Sequence, residues 1–286
     1  MLSVILYNYR KSKKGMVIRM KITHDFHIHT GLSLCADPET KVSDFFEPAI
    51  AAGLDRIGIS NHFWDENVPP LRDDGYFTMQ NFERLSREEE LIRNERSIKV
   101  SFGCEADYDY IHRDVAMTEE TAEKFDHILV PNSHTHLVMP EEYWDDIPRH
   151  KEFLLTAYTD IIRGKISKYI TAIAHPFDVV GYPKDKLKAL IDSVSDDEFK
   201  RIFDETAERG IAYELNVGGG VQNSRETIES FPTLRLARLA KECGCKFIFG
   251  SDAHAAREWR YYIENATLTA EILGITEDDI CDFAKK

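Results

Sequence analysis

Lys21-Ile22-Thr23-His24-Asp25-Phe26-His27-Ile28-His29-Thr30 reads as a β-strand that ends in chemistry. His27 and His29 are two residues apart, so the period-two geometry of a strand turns both imidazoles to one face, about 7 Å apart along the chain, where both can grip a single metal ion. His24 falls on the opposite face and reads as a packed or hydrogen-bonded histidine. Two histidines on a strand are weak testimony alone, and the weight rests on residues further along the chain.

Working outward from this strand, short apolar runs at residues 22–29, 56–60, 98–105, 127–132, 169–174, 211–216 and 246–250 alternate with amphipathic stretches at 42–52, 79–96, 152–163, 197–209, 232–242 and 255–273. Gly53, Gly164, Gly210 and Gly244 stand where the helices should stop, and Ser195-Asp196-Asp197-Glu198 is a capped, acidic helix start. Seven strand–helix units of this kind predict parallel strands joined by crossover helices, an α/β barrel. The irregular insertions at 64–75, 108–115, 137–149 and 217–223 follow strands, which in such a barrel puts them on the catalytic face.

The remaining chemistry falls at strand ends. His62 follows the second run, Glu105 ends the third, His134 follows the fourth, His175 the fifth, and Asp252 and His254 the seventh. A barrel converges side chains from the carboxyl ends of its strands, so His27, His29, His62, Glu105, His134, His175, Asp252 and His254 are candidate metal ligands. His136 is an alternative to His134; His112, His127 and His150 have no such placement. Imidazole and carboxylate suit zinc, iron or manganese, and eight ligands exceed what one ion can use, so two or three divalent cations are expected. Such ions would activate a water as hydroxide for attack on a phosphate ester.

In order, Asp25-Phe26-His27-Ile28-His29-Thr30, Ile59-Ser60-Asn61-His62, Asn132-Ser133-His134 and Gly250-Ser251-Asp252-Ala253-His254 resemble the four motifs of the PHP (polymerase and histidinol phosphatase) domain hydrolases. Gly103-Cys104-Glu105, Ala174-His175-Pro176 and Glu214-Leu215-Asn216 fall between them in the expected order, and the likeness runs from Lys21 to about Ala256. The resemblance implies a distorted seven-stranded (β/α)7 TIM-like barrel and up to three metals. His27, His29, Glu105 and Asp252 would hold the first, Glu105, His134 and His175 the second, and His62 with His254 the third. The sequence departs from the family twice: Asn61 stands where Asp is common, and Cys35 or Asp37 occupies the position of a further third-site ligand. The resemblance also offers Arg225 as a phosphate-gripping arginine, with Arg257 a weaker candidate. Asp252, or instead His254 or His62, would protonate the leaving group.

Composition sets the limits. Lys and Arg number 36 against 50 Asp and Glu, a net charge of −14, which disfavours long nucleic acids but leaves an anionic substrate open at a metal centre. The five cysteines show no CxxC spacing and imply a reducing compartment. Residues 1–20 read as an N-terminal extension, with Met16 or Met20 as alternative starts, and 21–286 as one domain; no membrane span is expected, and the protein reads as cytoplasmic. Gly218-Gly219-Gly220 lacks the setting of a phosphate loop. A small phosphorylated metabolite is the expected partner, with oligomeric state open. A phosphodiesterase or nuclease, an amidohydrolase, or a non-catalytic metal-binding module are the rival readings; for the amidohydrolase, neither Lys165 nor Lys168 has a suitable strand-end position.

Overall fold

Seven parallel strands follow one another round the sheet in chain order, because each apolar run is long enough for one strand and each amphipathic stretch long enough to return the chain to the same end. The computed structural model describes residues 20–285, so the expected extension lies, apart from Met20, outside the described residues. The strands are β1 (His24–Ile28), β2 (Arg56–Ile59), β3 (His62–Phe63), β4 (Lys99–Ala106), β5 (Tyr108–Asp109), β6 (Asp114–Val115), β7 (His127–Pro131), β8 (Ala172–Ala174), β9 (Ala212–Asn216) and β10 (Phe247–Gly250). Sheet order is β1-β2-β4-β7-β8-β9-β10, and β3 resumes the second strand beside β4 after a break at Ser60-Asn61. β5 and β6 form a separate antiparallel hairpin inside the insertion after β4.

The sheet curls until β10 meets β1. There the His29 N–H donates to the Ala253 carbonyl at 2.9 Å and the Asp252 N–H to the His27 carbonyl at 2.8 Å. Buried Asp25 ties the same seam by accepting from the Ser251 N–H at 3.0 Å and from Trp259 Nε1 at 2.7 Å. The result is an α/β barrel of TIM-like form whose first and last strands carry candidate ligands across one seam.

Several expected elements are redrawn. The helix expected at 79–96 is broken into Phe82–Leu85, a 3-10 turn and Glu89–Asn94, because Asn81 leaves the helical region and caps a new start by accepting the Arg84 N–H. Lys184–Asp192 is an additional helix before Asp196–Glu208, and the latter has the Ser195–Glu198 capping box read from the sequence. The fifth strand shrinks to Ala172–Ala174 because residues 167–169 take a 3-10 turn. No helix among the described residues is long and apolar enough to cross a membrane.

His127 fills the floor of the barrel rather than its mouth. Its ring is buried, contacts Ser60 Oγ at 2.9 Å, and packs beside Phe26. Space for it comes from two glycines on adjacent strands: a Cβ on Gly103 would lie 2.1 Å from the His127 ring, and one on Gly58 would lie 2.8 Å from it. Gly103→Ala is therefore expected to destabilise the fold by about 1–3 kcal/mol, as overpacking does. Adding His127→Ala should recover part of that loss, so that denaturation midpoints of the two single variants and the double variant are non-additive; additive midpoints would refute the steric account.

Candidate metal centre

The eight candidate ligands arrive from six different strand ends. β1 supplies His27, with His29 just beyond it. The parallel register of β3 with β4 sets His62 directly beside Glu105. His134 and His175 follow β7 and β8, and Asp252 and His254 follow β10.

They meet around the Glu105 carboxylate, which is buried completely. His62 Nδ1 lies 3.0 Å from Glu105 Oε2, and His27 Nε2 and His29 Nε2 lie 3.4 and 3.6 Å from the same oxygen. His175 Nε2 and His134 Nε2 lie 3.0 and 3.5 Å from Glu105 Oε1. Asp252 Oδ1 stands beyond, 3.1 Å from His29 Nε2, 3.4 Å from His27 Nε2 and 3.6 Å from His254 Nδ1. Among the described residues, four overlapping triads bring donor atoms within 4.8 Å of one another: His27-His29-Asp252, His27-Glu105-His175, His62-Glu105-His134 and His29-His62-His254. All eight candidates appear in them.

What turns the rings inward is a set of partners behind them that the sequence reading did not assign. His27 Nδ1 sits 2.7 Å from Glu214 Oε1, His134 Nδ1 2.8 Å from Asp107 Oδ1, His175 Nδ1 2.6 Å from Ser133 Oγ and His29 Nδ1 3.0 Å from Ser33 Oγ. With Nδ1–H donated outward, each Nε2 presents its lone pair to the centre. Glu214 does double duty, since its Oε2 accepts the His175 N–H at 2.6 Å. Its carboxylate fits between strands only because position 250 is glycine, where a Cβ would lie 2.0 Å from Glu214 Oε1. Asn61 orients His29 rather than His62: its Oδ1 accepts from Ser33 Oγ at 2.9 Å and from the Thr30 N–H at 2.8 Å, while its Nδ2 donates to Thr30 Oγ1 at 3.1 Å. An aspartate could not make that last bond. His175 and Asp252 hold φ of 26° and 53°, left-handed backbone that non-glycine residues adopt at a cost and that concentrates at functional sites.

Divalent cations fit this donor set. His62 Nδ1 and Glu105 Oε2 are buried without a hydrogen-bond partner, although 3.0 Å apart, because their contact is misaligned; an ion between such atoms would complete both. Without an ion, protons must balance the carboxylates. Burial opposes charging His27, but Glu214, Glu105 and Asp252 outweigh it and hold its pKa well above the ordinary value. Burial likewise disfavours the charged Glu105, yet His134, His27 and His62 hold its carboxyl well below the usual range. His29 stays neutral, its pKa lowered by burial and by the neighbouring His254 and His62.

The PHP domain family matches residues 25–218. The chain belongs to that family. Membership makes this PHP domain a metal-dependent hydrolase, and the fold brings the eight residues named from the resemblance together, in triads grouped differently from the sets that the resemblance implied. Among solved structures, histidinol phosphate phosphatase from Lactococcus lactis subsp. lactis, in complex with zinc, L-histidinol and phosphate, superposes with a TM-score of 0.58 at 18% identity, covering 92% of this chain and 99% of that one. A candidate histidinol phosphatase from Listeria monocytogenes gives 0.57 at 14% identity, covering 82% and 97%. At these identities the likeness speaks to the fold. A search of curated proteins found no match to the sequence.

Other residues singled out in the sequence sit apart from the carboxylate. Exposed His136 packs its ring against that of His134, and His134 is the one that reaches Glu105. Arg225 opens the helix Arg225–Glu229 and is exposed, with its guanidinium 2.7 Å from Glu271 and 3.4 Å from Glu229; to grip a phosphate it would have to leave both. Arg257 is exposed and pairs with Asp37 at 2.6 Å. His24, His112 and His150 are engaged by Phe249 N–H, Asp109 and Thr135 respectively. Lys165 and Lys168 lie on the surface against Asp114 and Glu119.

Proposed function

We propose that this PHP domain hydrolyses a small phosphomonoester at a centre of two or three divalent cations, zinc, iron or manganese, held by His27, His29, His62, Glu105, His134, His175, Asp252 and His254. The observation that carries the reading is the convergence of five imidazoles on the buried Glu105 carboxylate, four of them locked from behind with their ligating nitrogens facing in. Bound cations would supply polarisation of the phosphoryl oxygens and an acidified water, which is what phosphoryl transfer to water needs.

The chain's own residues divide the remaining work. Glu105 offsets positive charge from a fully buried position. Glu214, Asp107, Ser133 and Ser33 fix ring orientation, so that no reorganisation accompanies reaction. Asp252 and His254 are the two candidate ligands whose side chains are open to solvent, each 26% exposed, and substrate approaches past them. His254 Nδ1 is held by the Asp252 carbonyl at 2.9 Å, leaving Nε2 to hold a cation or to protonate the leaving oxygen. The zinc, L-histidinol and phosphate in the Lactococcus lactis neighbour support a compact phosphorylated metabolite as the substrate class. Histidinol phosphate is one member of that class.

Metal analysis of freshly purified protein, coupled to a phosphate-release screen over phosphomonoesters, phosphodiesters and cyclic amides, tests the reading. At least two metal equivalents and release from monoesters are expected in the parent, with most of that activity lost in His27→Ala. Less than one equivalent after chelator-free preparation, or turnover confined to diesters or amides, would overturn it.

A further inference from the structure

At the end of the barrel away from the metal centre, a cation is buried without an anion. Arg56, the first residue of β2, is 4% exposed. Its guanidinium lies 5.7 Å from the ring centroids of both Phe26 and Phe283, which flank it. A guanidinium is a rigid fork of N–H donors, yet among the described residues only the Phe283 carbonyl accepts from it, and it forms no ion pair. Burial pulls its pKa below the ordinary value, and the nearby Cys281 and Asp55 do not make up the difference. Buried charges are ordinarily paired, because one carbonyl dipole does not repay the loss of hydration.

The fold opens space in front of this group. Arg56 lines a cavity of about 570 Å³ between the strand starts and the end of the chain. Strand register sets Arg56 beside His24 of β1 and Lys99 of β4, so that Lys21, Arg56 and Lys99 share one wall. The last residues cross the floor opposite them. There the Cys281 N–H donates to the Phe247 carbonyl at 3.0 Å, and the short helix Asp282–Lys285 adds Lys285 to the lining. Asp55, Glu277 and Asp278 also line the cavity, but these three are exposed, and Asp55 stands 3.6 Å from Lys21. Acids at the rim repel a polyanion. What suits the cavity is a single anionic group carried past them to the buried guanidinium.

We propose that this cavity is a second binding site, which holds a small metabolite by a phosphate or carboxylate group against Arg56. Both oxyanions present the paired oxygens that a planar fork of donors recognises. Phe26 and Phe283 orient the fork before the ligand arrives, and Lys21 adds charge at the entrance. The site needs no metal and stands apart from the hydrolysis proposed above.

Calorimetric titration of the metal-free protein with inorganic phosphate and, separately, with acetate, at an ionic strength fixed with chloride, tests the site. The parent is expected to bind one equivalent of at least one of the two, and the tighter of them identifies the group. His27→Ala should bind as the parent does. Arg56→Gln should weaken binding at least ~10-fold, as the loss of a charged hydrogen-bond pair does. Lys21→Ser should weaken it about 3-fold and Asp55→Asn strengthen it about 3-fold, the size of effect that exposed charges have. Both side chains are exposed, so this opposed pair decides the matter even if Arg56→Gln does not fold. If Arg56 serves only to pin Phe283, Arg56→Gln melts lower but the parent shows no saturable binding of either anion. That result overturns the proposal, as does binding that is lost in His27→Ala or unmoved in both Lys21→Ser and Asp55→Asn.

Discussion

Glu105→Gln is expected to strip at least one cation from the purified protein and to lower metal-supported phosphate release by ~10³-fold or more, a deficit that excess metal does not repair. Five imidazole nitrogens lie between 3.0 and 3.6 Å from the two oxygens of this one side chain, which is fully buried. Closely spaced divalent cations would repel one another strongly at a buried site, and a carboxylate among the residues holding them would make joint occupancy tolerable. The amide keeps the shape and one acceptor oxygen but removes the charge. A loss of about 4 kcal/mol in transition-state stabilisation corresponds to the ~10³-fold expected.

The fold should survive this change. The neighbouring histidines can shed their protons once the carboxylate is gone, so the core of the barrel is left without an uncompensated charge. Circular dichroism and thermal melts of the metal-free proteins should therefore differ little, while metal content and turnover differ greatly. Parental metal content and parental rate in Glu105→Gln would mean that the cluster is not where the chemistry happens.

The convergence of the candidate ligands was legible in the sequence because two periodicities cooperate. Strand alternation puts His27 and His29 on one face, and the repeat of strand and helix brings every later candidate to the same end of the sheet. The partners behind the rings were not legible in that way. Glu214 lies 187 residues from His27, and which nitrogen of a ring faces inward is decided by packing that no spacing encodes. A signal was nevertheless present: Glu214 is the lone charge in the apolar run Ile211-Ala212-Tyr213-Glu214-Leu215, and a buried carboxylate requires a partner. Arg225 is a different case. The resemblance offered it for substrate, and the chain closes so that the helix Tyr262–Leu273 presents Glu271 to it, a partner 46 residues away that local reading does not see.

Glu214→Gln is the sharper test of how the centre is held, because its deficit should be one of metal affinity. The carboxylate accepts from two donors, His27 Nδ1–H through Oε1 and the His175 N–H through Oε2, at 2.7 and 2.6 Å. Glutamine has one acceptor oxygen and an NH₂ group, so in either orientation one of those donors faces another donor. An unsatisfied buried group of this kind costs about 1–3 kcal/mol. If the loss falls on His27, the ring loses the bond that sets its tautomer; if it falls on His175, the left-handed backbone at that residue loses its anchor. Both routes loosen a ligand without removing it, so the apparent affinity for the tightest cation should fall ~10–100-fold, as it does when outer partners of ligating histidines are changed. Saturating metal should bring turnover back to within ~10-fold of the parent, unlike in Glu105→Gln. Affinity unchanged with turnover abolished would instead place Glu214 in contact with the reacting groups, which its position behind His27 and His175 does not allow.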